Sequence, residues 1–214
     1  RRGKAAREDN NPAATERDAL TGCLSRLAFE AELQARCEAA KTDNTTFALL
    51  YLDVDRMSTL NKTSGKAAGD EFLRQLSRLI QSDVGEANPV YRLHDDKFAV
   101  LLNTADPAEA QVVAELLRAD ISSWKFEHAD QQHAASVSIG LVHVSGQSGR
   151  AVDVLRQASE LSQQAQQQGG GRVSDSQIQT RRQPLRDERS WLAALTQGWA
   201  QDRFRRSTQK IQPL

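Results

Sequence analysis

The chain has 214 residues, and lysine plus arginine matches aspartate plus glutamate at 28 each. That length suits one sizeable domain with an appendage, and the balanced charge excludes a global field that would recruit nucleic acid or an anionic membrane. No apolar run reaches the ~18 residues of a membrane span, and no signal-peptide pattern is present.

Residues 1–16 are polar and contain Asn10-Asn11-Pro12, which reads as a lead-in from an upstream element. Ser25 suits a helix N-cap, and Leu27, Phe29, Leu33 and Cys37 recur at helical spacing, predicting a helix over about 26–40. Phe47–Val54 is a strongly apolar run, expected as a strand buried on both faces. A second helix is predicted over about 67–81, with Phe72, Leu73, Leu76, Leu79 and Ile80 as its stripe. Tyr91-Arg92-Leu93 and Phe98–Leu102 read as a hairpin whose tip holds four ionisable side chains, His94, Asp95, Asp96 and Lys97. Tight hairpins prefer glycine or asparagine there, because those residues tolerate positive φ.

A third helix follows, opened by Thr104 or Asp106 with Pro107 in its first turn and carrying Val112, Val113, Leu116 and Leu117. Ser136–Val144 alternates like a strand. A helix over 151–168 stops at Gly169-Gly170-Gly171, with a short strand expected around Arg172-Val173. The elements together predict an α/β fold, a central mixed sheet flanked by helices. Residues 176–189 form a polar linker containing Pro184. Residues 190–214 are helix-like and carry Trp191, Leu195, Trp199 and Phe204, apolar side chains expected to belong to a second domain that stops short. The arginines of this tail (Arg181, Arg182, Arg186, Arg189, Arg203, Arg205 and Arg206) read as linker surface rather than a nucleic-acid patch. Cys23 and Cys37, without metal-like spacing, read as reduced thiols of a cytoplasmic protein. Met57 is the only methionine, so the chain is expected to be a piece of a longer protein whose sensor or anchor lies upstream.

Four ordered motifs give the chain a family resemblance over about residues 17–174. Asp18-Ala19-Leu20-Thr21-Gly22 with Ser25-Arg26 and Phe29 resembles the DxLTGxxNRxxF opening of GGDEF domains, the diguanylate cyclase family. Leu52-Asp53-Val54-Asp55 with Asn61, Gly65 and Gly69-Asp70 is similar to that family's LDxDxFKxxND…GHxxGD block. Ser136–Gly140 resembles its vSxG strand. Arg92–Phe98 stands where RYGGDEF belongs, while Gly69-Asp70-Glu71-Phe72 spells part of the signature in the wrong place. The tail, from Trp191, looks like the start of an EAL domain, the cyclic di-GMP phosphodiesterase fold. The resemblance therefore implies a GGDEF-type, nucleotidyl cyclase or palm-like domain at 17–175 and a truncated EAL-like domain at 190–214.

In that family two domains each hold one GTP, and two carboxylate-bound metal ions help a ribose 3′-oxygen attack the other α-phosphate. Carried over by motif, Asp53 is the strand-end metal ligand and Asp96 replaces its glutamate partner, one methylene shorter. Asn61 and Asp70 match the pair that reads the guanine edge, although by themselves they read equally well as caps or turn formers. His94 and Asp95 replace the two signature glycines, Lys97 replaces an acid implicated in catalysis, and Phe98 is retained. Ser58 and Gln166 stand where phosphate-binding lysines belong and Gly170 where an arginine belongs, with Arg172 two residues away. The inhibitory RxxD is replaced by Gly85-Glu86-Ala87-Asn88. A general-base role for His94 is less favoured than a surface histidine on a polar turn.

The resulting expectation is a catalytically inactive GGDEF domain, with no functional catalytic residue, serving as a regulatory or scaffolding module for a following EAL domain. Its expected partners are that EAL domain, a second copy or other signalling proteins, with neither nucleic acid nor a membrane contact. No cofactor is expected beyond Mg2+ accompanying GTP, should the remnant site still bind it. One alternative is a GTP-binding sensor without cyclisation. Another is a dimerisation module that has discarded nucleotide. Residual cyclase activity is the reading favoured least.

Overall fold

All eight positions of Phe47–Val54 are buried, because the strand they form lies at the middle of a sheet with helices on both sides. This computed structural model describes residues 16–176. In chain order the elements are α1 (Arg26–Thr42), β1 (Phe47–Val54), α2 (Met57–Val84), β2 (Val90–His94), β3 (Lys97–Leu102), α3 (Pro107–Ser123), β4 (Lys125–His128), β5 (Gln131–Ala134), β6 (Val137–Val144), α4 (Ala151–Gln167) and β7 (Val173–Asp175). Five strands form one sheet in the order β2–β3–β1–β6–β7, and β4 pairs with β5 apart from it. β1 is antiparallel to β3 and β6, whereas β7 runs parallel to β6. The sheet is thus mixed, as predicted.

The two-residue period of β1 divides the core. Ala48, Leu50, Leu52 and Val54 pack with Phe72, Leu76 and Ile80 of α2 and with Ala110, Ala114, Leu117 and Ile121 of α3. Phe47, Leu49 and Tyr51 pack on the other face with Phe29, Leu33 and Cys37 of α1 and with Val154, Ala158 and Leu161 of α4. Ser25 caps α1, its hydroxyl accepting from the Ala28 amide at 3.2 Å. Asp106, rather than Thr104, caps α3 by accepting from the Ala108 amide at 2.9 Å. Gly140 of β6 lets α4 rest directly on the sheet. A Cβ there would overlap the Ala158 carbonyl oxygen and sit 2.7 Å from the Ser162 nitrogen.

Four features depart from the sequence reading. α2 begins at Met57 rather than near residue 67, and it breaks at Gly65, where φ is 84°. The segment before that break buries Met57 and Leu60, too few apolar positions to register as a stripe. Asp70 consequently lies inside a helix and not at its start. α3 buries Ala110, Ala114, Leu117 and Ile121, so alanines take the sheet-facing positions that the larger Val112, Val113 and Leu116 are expected to fill. The pair β4–β5 is unforeseen, since Phe126 is its one fully buried side chain, packed edge-on against Phe72 at 5.2 Å. Finally, His94 and Lys97 belong to the strands, leaving only Asp95 and Asp96 at the hairpin tip.

Cys23 and Cys37 are free and buried. Among the described residues no helix is long and apolar enough to cross a membrane. The predicted lead-in before residue 16, the linker beyond 176 and the EAL-like start at 190–214 lie outside the described residues.

Candidate functional site

Strand register brings the first groups together. β1 and β3 pair so that Asp53 stands opposite Lys97, and Asp96 precedes that lysine at the hairpin tip. The Lys97 ammonium lies 3.2 Å from Asp53 Oδ2 and 3.0 Å from Asp96 Oδ1. The three side chains are only 12% (Asp53), 24% (Asp96) and 26% (Lys97) exposed, so water screens them much less than a surface pair. Burial alone would lower the Lys97 pKa, but Asp96 and Asp53 outweigh it and hold the ammonium above the ordinary lysine value. Burial likewise raises Asp53, and the attraction of Lys97 only partly offsets it. The lysine therefore stays charged, held by two carboxylates that need it.

The turn beside this triad is tight. Asp95 adopts φ 40°, in the left-handed region where glycine is the usual occupant of a two-residue hairpin. Its side chain is 92% exposed, and His94 Nδ1 lies 3.7 Å from its carboxylate, beyond hydrogen-bonding distance. Arg92 holds the turn in place. Its Nε and Nη2 donate to the Asp95 carbonyl at 3.1 and 2.6 Å, while Nη1 donates to Asp18 Oδ1 at 2.9 Å. Asp18 also accepts from the Thr21 amide and hydroxyl. Burial pushes Asp18 up, yet Thr21 and Arg92 together keep it below the usual aspartate range. The Asp18–Gly22 motif and the signature hairpin are thereby tied by one guanidinium. Phe98 is wholly buried and serves the core.

Asp55 is not a free strand-end acid. Its carboxylate accepts from the Ser136 hydroxyl, from the Ser138 hydroxyl at 2.7 Å and from the Gly171 amide at 2.9 Å. These bonds latch the end of β1 to β6 and to the loop after α4. Gly170 (φ 74°) sits against the same latch, and a Cβ there would lie 3.0 Å from the Asp55 carboxylate. Gln166 is half-buried, Ser58 and Arg172 are exposed, and Arg172 donates to Gln168 Oε1 at 3.2 Å. Asn61 folds over Gly69, its Oδ1 lying where a Cβ on that glycine would fall, which puts its amide beside the turn of α2 that carries Asp70. Neither Ser136, Ser138 nor Arg92 stood out as functional in the sequence, and Asp55 did so only as one half of a DxD pattern. The Ser-x-Ser spacing before Gly140 was the available signal.

The histidines divide by contact. His133 Nε2 meets the Ser64 hydroxyl at 3.2 Å, and His143 Nε2 meets the Asp175 carboxylate at 3.3 Å. A divalent metal of the kind the family uses does not fit the residues as they stand. Asp53 and Asp96 both converge on Lys97, Asp55 is engaged by three donors, and among the described residues no group of three or more histidine, cysteine or acidic side chains could hold an ion.

The sequence pattern of the family described as "Diguanylate cyclase, GGDEF domain" matches residues 15–172. Probable diguanylate cyclase DgcE of Escherichia coli (strain K12) is 28% identical over 157 residues, a stretch that covers 73% of this chain and 14% of that protein. Diguanylate cyclase DosC of the same strain is 30% identical over 130 residues, covering 60% of this chain and 28% of its own length. The chain thus spans well under half the length of these two relatives. The crystal structure of the FimX GGDEF domain from Pseudomonas aeruginosa superposes with a TM-score of 0.72 at 25% identity, covering 75% of this chain and 99% of that one.

Proposed function

This chain belongs to the GGDEF family, and from that premise we propose that it is a catalytically inactive member, a regulatory or scaffolding module in cyclic di-GMP signalling that acts on a following EAL domain of the same polypeptide. The hairpin tip carries the reading. Bare glycine backbone is what lets a triphosphate approach a turn closely, and here His94 and Asp95 add side chains at that spot. Asp95 faces water, so its charge is largely screened, and the obstruction is chiefly steric and conformational.

Two further observations support the same conclusion. Lys97 brings an ammonium where the family has an acid, and position 170, where the resemblance places a phosphate-binding arginine, is a glycine at φ 74° whose Cβ would press on the Asp55 carboxylate. Phosphoryl transfer depends on cations placed to absorb developing charge, and those placements are missing or already satisfied. The test is incubation of purified protein with GTP and Mg2+ or Mn2+. No cyclic di-GMP is expected, and its steady accumulation refutes the proposal.

A second reading has one observation in its favour. Asn61 lies over Gly69, the residue before Asp70, so both residues that the resemblance assigns to the guanine edge are retained on adjoining parts of α2. Such a domain binds GTP without cyclising it and passes the binding event to its partner. Calorimetry separates the two readings: heat at submillimolar GTP that vanishes in Asp70→Ala supports the sensor, and a flat titration removes it.

A further inference from the structure

We propose that Lys97 is a built-in cation that takes the place of the divalent metal between Asp53 and Asp96, so that this site assembles without metal. The inference deepens the reading of an inactive domain and rests on it for its biological meaning. Register is the first argument. Asp53 and Lys97 are direct cross-strand partners in β1 and β3, so the ammonium is delivered by backbone pairing and does not depend on a chance surface rotamer. The Asp96 carbonyl adds a backbone tie, accepting from the Val54 amide at 3.1 Å. Hairpin tip and strand end are held together with the lysine between their carboxylates.

Geometry and charge supply the second argument. An ammonium satisfies carboxylates at about 3 Å, whereas Mg2+ requires oxygens at roughly 2.0–2.1 Å in a near-octahedral shell. A metal touching Asp53 Oδ2 and Asp96 Oδ1 would have to enter the space that the Lys97 nitrogen fills at 3.2 and 3.0 Å from those same atoms. It would add two positive charges next to one already neutralising the pair. Asp55, the nearest spare acid, is committed to Ser136, Ser138 and Gly171. Without Lys97, two poorly screened carboxylates would face each other unopposed, and a small divalent cation would be their remedy.

The consequence is a domain whose hairpin stays docked on β1 whatever the metal or nucleotide supply, a fixed surface for its partner. The experiment is a nucleotide-free Mn2+ titration of the full chain, followed by the electron paramagnetic resonance of free Mn2+ and by thermal melting in Mn2+ against EDTA. Wild type and Lys97→Arg are expected to leave Mn2+ free and to melt at the same temperature in both media. Lys97→Met is expected to melt earlier in EDTA, to recover in Mn2+, and to bind the ion roughly tenfold or more tightly than wild type. Asp53→Asn added to Lys97→Met should abolish both gains.

Wild-type binding of Mn2+ that disappears in Asp53→Asn overturns the proposal, and so does a folded Lys97→Met that fails to bind the ion. If Lys97→Met does not fold, Lys97→Gln carries the same test, and the wild-type titration decides the first half regardless. No nucleotide is present, so failure here is distinct from failure of the inactive reading, which only cyclic di-GMP formation can bring about.

Discussion

Replacing Arg92 with alanine removes one guanidinium that makes three charge-assisted hydrogen bonds, two to the Asp95 carbonyl and one to Asp18. The Arg92 side chain is 12% exposed and that of Asp18 25%, so neither pairing is a loose surface contact. Hydrogen bonds to charged groups contribute about 1.5–3 kcal/mol each, but bonds sharing one side chain are not additive. Asp18 keeps its Thr21 donors in the variant, which limits the damage. A loss of about 2–3 kcal/mol follows, equivalent to a Tm lower by roughly 4–12 °C for a domain of this size.

The assay is thermal and urea unfolding at pH 7 of wild type, Arg92→Ala, Asp18→Asn and the double variant. The cycle should show a coupling above about 1 kcal/mol, and Arg92→Lys should recover little, since an ammonium cannot span the fork. Asp18 has its folded-state pKa depressed, so its contribution is present above the unfolded value near 3.8 and is lost as pH falls below it. The difference between wild type and Asp18→Asn should therefore shrink in strong acid. Additivity within about 0.5 kcal/mol, or a loss under about 1 kcal/mol in Arg92→Ala, refutes the clamp.

Gly140→Ala forces a Cβ into the Ala158 carbonyl and against the Ser162 nitrogen. It should lower stability by about 3 kcal/mol or leave the protein insoluble, and an unchanged melt would show that α4 can lift off β6 freely. Asp55→Ala leaves the Ser136, Ser138 and Gly171 donors without their acceptor, so amide exchange at Gly171 should accelerate at least tenfold, with a loss of about 1–3 kcal/mol. Unaltered exchange there would dismiss the latch. Burial, and after it the Asp120 carboxylate, pushes Asp83 up to about 7, although the residue as a whole is exposed and water tempers the effect. A raised acid favours the protonated fold, so stability should fall as pH rises from about 4 to 7. Asp83→Asn should raise the Tm at pH 8 and not at pH 4, and an equal change at both values would exclude Asp83 as the titrating group.

Local chemistry made much of this protein readable in advance. The apolar run of β1, the Ser25 and Asp106 caps and the glycine stop after α4 each follow from the nearest few residues, and each appears in the structure. β6 forms as expected, but it is buried on both faces and its sequence alternation is not one of burial. The opening of α2 was illegible because Ser58–Lys66 offers mainly polar side chains to water. The β4–β5 pair was illegible because one phenylalanine anchors it. Periodicity is a record of burial, and elements that bury little leave a faint one.

The candidate site divides in the same way. Sequence by itself determined which groups are available: Asp53, Asn61 and Asp70 kept in their motifs, the glycines replaced by His94 and Asp95, an acid replaced by Lys97. Tertiary structure alone decided what those groups do to one another. Pairing of β1 with β3 puts Lys97 across from Asp53, the meeting of β1, β6 and the glycine loop turns Asp55 into a latch, and Arg92 reaches Asp18 across the fold. Each of these contacts joins residues far apart in the chain, and electrostatic and hydrogen-bond energies depend on distance in space, which only the assembled sheet sets.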